Sequence, residues 1–93
     1  MQLANFLNKL FKKGGFILED ARGNEHVIGE KNKASKIKLK ILDKSLHYKL
    51  LIYPDLYFGE AYTDGKIIFK KGNLTDFLNM ALENIGRAET NKW

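Results

Sequence analysis

The chain predicts an α+β domain, a small antiparallel sheet of about four strands with helices on one face. Three observations predict it. Lys36 to Ile41 alternates strictly, with Ile37, Leu39 and Ile41 set against Lys36, Lys38 and Lys40, the period of a half-buried antiparallel strand. Both ends of the chain carry apolar residues at three- and four-residue spacing, the period of a helix packed along one side. Between them, short apolar runs are bounded by Gly, Asn and Asp, the residues that turn a chain.

Leu3, Phe6, Leu7, Leu10 and Phe11 place a helix over Gln2 to Lys13, ended by Gly14-Gly15. Its lysines, Lys12 and Lys13 among them, leave two readings: a basic helix lying on an anionic membrane through Leu3, Phe6 and Leu10, or a helix packed on its own domain. Phe16 to Asp20 and Glu25 to Glu30 then form a hairpin around Ala21-Arg22-Gly23-Asn24. Phe16 and Leu18 face one side of it, Ile17 and Glu19 the other. His26 has no second ligand at metal spacing and reads as a cross-strand or solvent-facing residue. Lys31 to Ser35 reads as loop, and the strand Lys36 to Ile41 follows. Lys31 to Lys49 holds seven lysines against one acid, Asp43, which is either an anion-binding stripe or a solvated sheet face guarded by lysine.

Asp43 or Ser45 caps a helix carrying Leu46, Leu50, Leu51 and Tyr53, and Pro54 stops it. His47 falls on its surface, neutral near pH 7. Tyr57, Phe58, Ala61 and Tyr62 make a helical turn, Asp64-Gly65 a tight turn, and Lys66 to Lys70 a short strand. Asn73 and Asp76 then open a helix whose apolar face is Leu74, Phe77, Leu78, Ala81, Leu82 and Ile85. Gly86 ends that helix, and Arg87 to Trp93 reads as a tail or the start of a linker.

Composition narrows the function. At 93 residues the chain makes one domain with a modest core. No apolar run approaches the roughly 20 residues that cross a bilayer, and the N-terminus lacks the apolar region of a secretory leader. Without cysteine there is no disulfide, thiolate nucleophile or thiolate-held metal. The net charge of +5 favours an anionic partner, either phospholipid headgroups or nucleic acid.

The block GEAYTDGKI, with Tyr53-Pro54-Asp55 before it and Leu74-Thr75-Asp76-Phe77-Leu78 after it, resembles the N-terminal domain of cyclopropane-fatty-acyl-phospholipid synthases. Gly59, Glu60, Ala61, Tyr62, Asp64 and Gly65 carry that resemblance, and Lys66, Ile67 and Ile68 depart from it. The departure leans toward a sterol-carrier-like pattern, which Ala61, Tyr62, Gly65, Lys66, Ile67, Phe69, Lys70, Gly72 and Asn73 follow with one extra residue before Gly72. The resemblance implies a sterol-carrier-like fold and a single accessory domain over residues 1–93 that handles lipid without doing chemistry. Its expected partners are an anionic phospholipid membrane, met from the cytoplasmic side, and a downstream catalytic domain. That domain, not this chain, would bind S-adenosylmethionine and transfer a methylene group to an unsaturated acyl chain. Lys36, Lys38, Lys40, Lys12 and Lys13 are the expected lipid- or anion-binding residues. Homo-oligomerisation stays open.

The residues themselves offer little catalysis. No glycine-rich turn opens a helix as a dinucleotide-type site requires, and no Ser/His/Asp or Cys/His set is present. Glu60 and Asp64 are four apart and could form an acid/base pair, against the plainer reading of turn residues. The chain alone is therefore expected not to be an enzyme and to need no cofactor or metal of its own. The alternative is a small basic nucleic-acid-binding module. Against it, Phe58, Tyr62, Phe69 and Phe77 fall where a core needs them, and arginine is limited to Arg22 and Arg87.

Overall fold

A computed structural model describes residues 1–90. The order is α1 (Gln2–Leu10), β1 (Gly15–Glu19), β2 (Glu25–Gly29), a 3₁₀ helix (Lys31–Lys36), β3 (Lys38–Ile41), α2 (Leu46–Ile52), α3 (Pro54–Thr63), β4 (Ile67–Lys71) and α4 (Leu74–Thr90). One four-stranded sheet runs β2-β1-β3-β4. Strand residues of one parity (Phe16, Leu18, Leu39, Ile41, Ile67) share a buried cluster with Leu3, Leu46, Leu50, Ala61, Phe77 and Ala81 of the helices. The helices therefore lie on one face of the sheet, and Ile17, Lys38, Lys40, Ile68 and Lys70 point to the other. The fold is α+β, as the patterning predicts.

The sheet is mixed rather than antiparallel. β1 pairs antiparallel with β2 (Phe16 with Ile28), and β3 antiparallel with β4 (Ile41 with Ile67), but β1 and β3 are parallel (Leu18 with Leu39). The hairpin returns the chain to the start of β1, where Gly29 lies opposite Gly15. The 3₁₀ helix, not the expected loop, then carries it past β1 and buries Ala34 on the way. β3 starts beside the start of β1, the Ile17 N–H donating to the Ile37 carbonyl at 2.9 Å, so it can only run parallel. The glycine pair at that crossing is a packing requirement. A Cβ on Gly15 would sit 2.5 Å from the Glu30 carbonyl oxygen.

Several boundaries move for local reasons. α1 ends at Leu10, not Lys13, because Phe11 turns to an extended conformation (φ −94°, ψ 97°) and buries its ring against Phe16 at 5.1 Å. α1 is packed on its own domain, with Leu3 buried and Phe6 and Leu10 against the core. β3 begins at Lys38, two residues later than the alternation suggests, so Lys36 belongs to the 3₁₀ helix. Pro54 both stops α2 and starts α3, where its fixed φ and missing N–H suit the first helical position. The turn expected at Tyr57–Tyr62 is thus a full helix. Asn73 caps α4 as predicted, its Oδ1 accepting the Asp76 N–H at 2.8 Å. Gly86 does not end α4, which continues to Thr90. The remainder of the expected tail, residues 91–93, lies outside the described residues.

Candidate functional site

α1, α3 and α4 cover the sheet but do not pack fully against one another. They leave a half-open cleft of about 590 Å³, within the roughly 300–1,000 Å³ of small-molecule sites. Phe16, Leu18, Leu39 and Ile41 of the sheet lie buried beneath it, each 4% exposed or less. Phe6, Leu7 and Leu10 of α1 form one wall, Leu78, Ala81 and Leu82 of α4 another, and Pro54 and Phe58 of α3 close one end. Asp55 is the acid in this lining. Phe77 organises the rings beneath: Phe16 at 5.1 Å, Phe58 at 5.3 Å, Phe69 at 5.9 Å and Phe11 at 6.0 Å. Offset and edge-on contacts of this kind hold rings in place rather than letting them collapse into the space. At the rim, Leu82 is 64% exposed and Leu78 39%.

Asn84 sets the distance between two of the walls. Its buried side chain on α4 accepts the N–H groups of Lys12 (2.8 Å) and Lys13 (2.9 Å) through Oδ1. Its Nδ2 donates to the carbonyls of Lys13 (3.0 Å) and Met80 (2.8 Å). The backbone just after α1 is thereby pinned to α4. Exposed Lys13 also reaches Glu83 at 3.4 Å.

The lysine stripe sits on the opposite, open face of the sheet, and it is not bare. Glu19, 7% exposed, lies among three ammonium groups: Lys40 in direct contact, Lys70 at 3.3 Å and Lys38 at 3.5 Å. The Lys40 hydrogen bond is the largest reason that the Glu19 carboxyl is held down at about 2, against an opposing push from burial. Lys38 also pairs with Glu25, and that hydrogen bond raises the lysine's pKa. Of the five lysines named from sequence, Lys38, Lys40 and Lys13 are therefore engaged in ion pairs. Lys36 and Lys12 are exposed, but Lys36 ends the 3₁₀ helix and Lys12 follows α1, so the five are spread over three parts of the chain.

Gly59, Glu60, Ala61, Tyr62, Asp64 and Gly65 fall on the second half of α3 and the turn after it. Ala61 is buried against the core, and Gly65 supplies the positive φ (+75°) of the turn. Tyr62 packs edge-on against Phe69 at 5.9 Å. Glu60 and Asp64 are exposed and joined through backbone, the Asp64 N–H donating to the Glu60 carbonyl at 2.9 Å. Gly59 is different: it is helical and exposed, and a Cβ there would meet nothing within 4 Å. Packing does not explain it.

His26 meets Asp20 at 2.9 Å across the hairpin. Burial pushes the Asp20 carboxyl up, but His26 and the N–H groups of Asn24 and Arg22 outweigh it and hold it at about 2. His47 is half-buried rather than on the surface; its Nε2 accepts the Ala21 N–H at 3.0 Å, and burial pushes its pKa down. Sequence reasoning missed Asn84, Asn8 and Glu19. Asn84 left one usable sign, a polar residue on the apolar side of its own helix; Glu19 lies with Ile17 on the open face of the sheet and left none.

A family profile described as "Domain of unknown function (DUF7884)" matches residues 3–92. The chain belongs to the DUF7884 family. The DUF7884 match runs from α1 through α4, so cleft, sheet and α3 all lie within the family's domain. No curated protein and no solved structure matches the chain. Among the described residues, no helix of this DUF7884 chain is long and apolar enough to cross a membrane.

Proposed function

We propose that this chain is a non-catalytic lipid-handling domain that docks on the cytoplasmic face of an anionic phospholipid membrane. It would hold an acyl chain for a downstream S-adenosylmethionine-dependent catalytic domain of the cyclopropane-fatty-acyl-phospholipid synthase type. The cleft carries the reading: it is apolar on floor and walls, half-open, and rimmed by exposed leucines. The resemblance of residues 59–65 to that synthase family supports the same direction. Each methylene buried contributes about 0.8 kcal/mol, so about ten would gain roughly 8 kcal/mol before ordering losses.

Membrane attraction then rests on exposed lysines such as Lys12 and Lys36 rather than on the paired Lys38 and Lys40. The insertion of Leu3, Phe6 and Leu10 is replaced by the cleft rim, because those three are used in packing. The test is a fluorescence titration with a conjugated-polyene fatty acid. Saturable binding of one probe per chain is expected. Leu82→Asp at the exposed rim should weaken it at least tenfold, about 1.4 kcal/mol, with an unchanged urea midpoint. Absence of saturable binding, or binding as tight as the parent's by both Leu82→Asp and a cleft-filling Ala81→Phe, overturns the proposal.

A further inference from the structure

We infer that β4 is a docking edge for an extended, acidic segment of another polypeptide. The sheet has two edges, and the chain treats them differently. The β2 edge is closed by α1: Asn8 Oδ1 accepts the Gly29 N–H at 2.9 Å, and its Nδ2 donates to the Val27 carbonyl at 3.4 Å. An edge strand with open backbone groups is a template for another strand, and covering it is one of the standard protections. β4 lacks that cover and carries only a register shift near its end, between the Leu39–Phe69 and Lys38–Lys71 pairs.

The pairing pattern says which groups are open. The Leu42 N–H donates to the Lys66 carbonyl at 2.8 Å, so this pair is hydrogen-bonded. Antiparallel alternation makes Ile68 with Lys40 the next such pair and turns the backbone of Ile67 and Phe69 outward. Among the described residues no turn or loop hydrogen bond reaches those outward groups. A shallow groove lined by Tyr62, Ile68, Phe69 and Leu74 follows this edge.

Side chains specify the occupant. On the helix side the edge offers Phe69, with Tyr62 against it. On the open side Lys66, Ile68 and Lys70 share one parity; Lys66 lies 3.5 Å from Asp43 and Lys70 3.3 Å from Glu19, and the lysine side chains keep 53% and 44% of their surface exposed toward the edge. A strand laid along β4 would therefore set apolar residues beside Phe69 and carboxylates beside Lys66 and Lys70. Opposite charges across strands stabilise pairing and like charges oppose it. A second copy docking through the same edge would set lysines against lysines. A lipid surface has no ladder of backbone groups to offer. An alternating apolar–acidic polypeptide satisfies both rows.

The probe is an acetylated, amidated peptide alternating valine and glutamate, about eight residues long, enough to span a typical strand. It is titrated into the full chain by amide chemical shifts. Saturable binding is expected, with the largest changes at the Ile67 and Phe69 amides, and an alternating Val-Lys peptide should bind at least tenfold more weakly. N-methylation of all valines or of all glutamates blocks one peptide edge at a time, so one of these two peptides should lose at least tenfold and the other bind like the parent. The inference is overturned if shifts centre on β2, or if both methylated peptides bind as well as the parent. A dimer formed through β4, seen by sedimentation velocity, also overturns it, since the occupant would then be a second copy.

Discussion

Replacing Asn84 with alanine tests whether α4 is pinned to the end of α1 as described. The side chain removed is 4% exposed and holds the Lys12 N–H, the Lys13 N–H and the Lys13 carbonyl, while the Met80 carbonyl belongs to α4 itself. Three backbone groups then lose a partner. A buried group left unpaired costs about 1–3 kcal/mol, and the exposure of Lys12 and Lys13 lets water replace part of that. About 1 kcal/mol each gives a loss of about 3 kcal/mol. A domain of 93 residues has only about 5–14 kcal/mol in all. Urea unfolding followed by circular dichroism would read this as a midpoint lower by about 2–3 M, taking m near 1 kcal/mol/M for a small domain. Asn79→Ala, at an exposed position on the same helix, should stay within about 0.5 kcal/mol. A loss below 1 kcal/mol for Asn84→Ala, or an equal loss for Asn79→Ala, would refute the reasoning.

Acid should unfold the chain through Glu19 and Asp20. Both carboxyls are held at about 2, below their ordinary 4.5 and 3.8, so their contribution is present above about pH 4.5 and is lost as pH falls toward 2. Urea midpoints across that window should show the fall, and Glu19→Gln should flatten it; an unchanged slope contradicts the ion cluster. Gly59→Ala should raise stability by about 0.5–1 kcal/mol, since a helical glycine with open space around it is disfavoured only by entropy. A destabilised variant in the same unfolding assay counts against the helical, open placement. Changing Lys38 and Lys40 together to glutamine should lower the urea midpoint, whereas changing Lys12 and Lys36 together should leave it in place. Equal midpoints would mean that Glu19 does not depend on its lysines.

What the sequence showed and hid follows from the range of each interaction. Asn73 ahead of Asp76, Pro54 between two helical runs, and Gly65 in its turn act within a few residues, and all three were legible. The parallel β1–β3 pairing was not, because a period of two looks the same in either strand direction. The polar 3₁₀ segment that decides the direction carries no apolar rhythm. The lysine stripe was seen on the correct face of β3, yet the carboxylate beneath it comes from β1, and nothing local to Lys38 or Lys40 announces Glu19. Phe11 fits the α1 periodicity but leaves the helix because Phe16 and Phe77 offer it a better packed site. Apolar positions of α1, α3 and α4 were each recognised, those of α1 with a membrane surface and the core as the two readings. That the three helices stand apart and leave a cleft depends on Asn84 and on the ring cluster, which join residues more than 60 apart in sequence.

The central claim is that this cleft holds an acyl chain. Isotope-filtered nuclear Overhauser measurements on labelled chain with an unlabelled single-chain phosphatidylglycerol test it most directly. The account predicts cross-peaks from the acyl methylenes to the methyl groups of Leu7, Leu10, Leu78 and Leu82, with none to Val27 on the far edge of the sheet. Cross-peaks confined to outer residues such as Ile52 and Leu56, or none at saturating lipid, would contradict it.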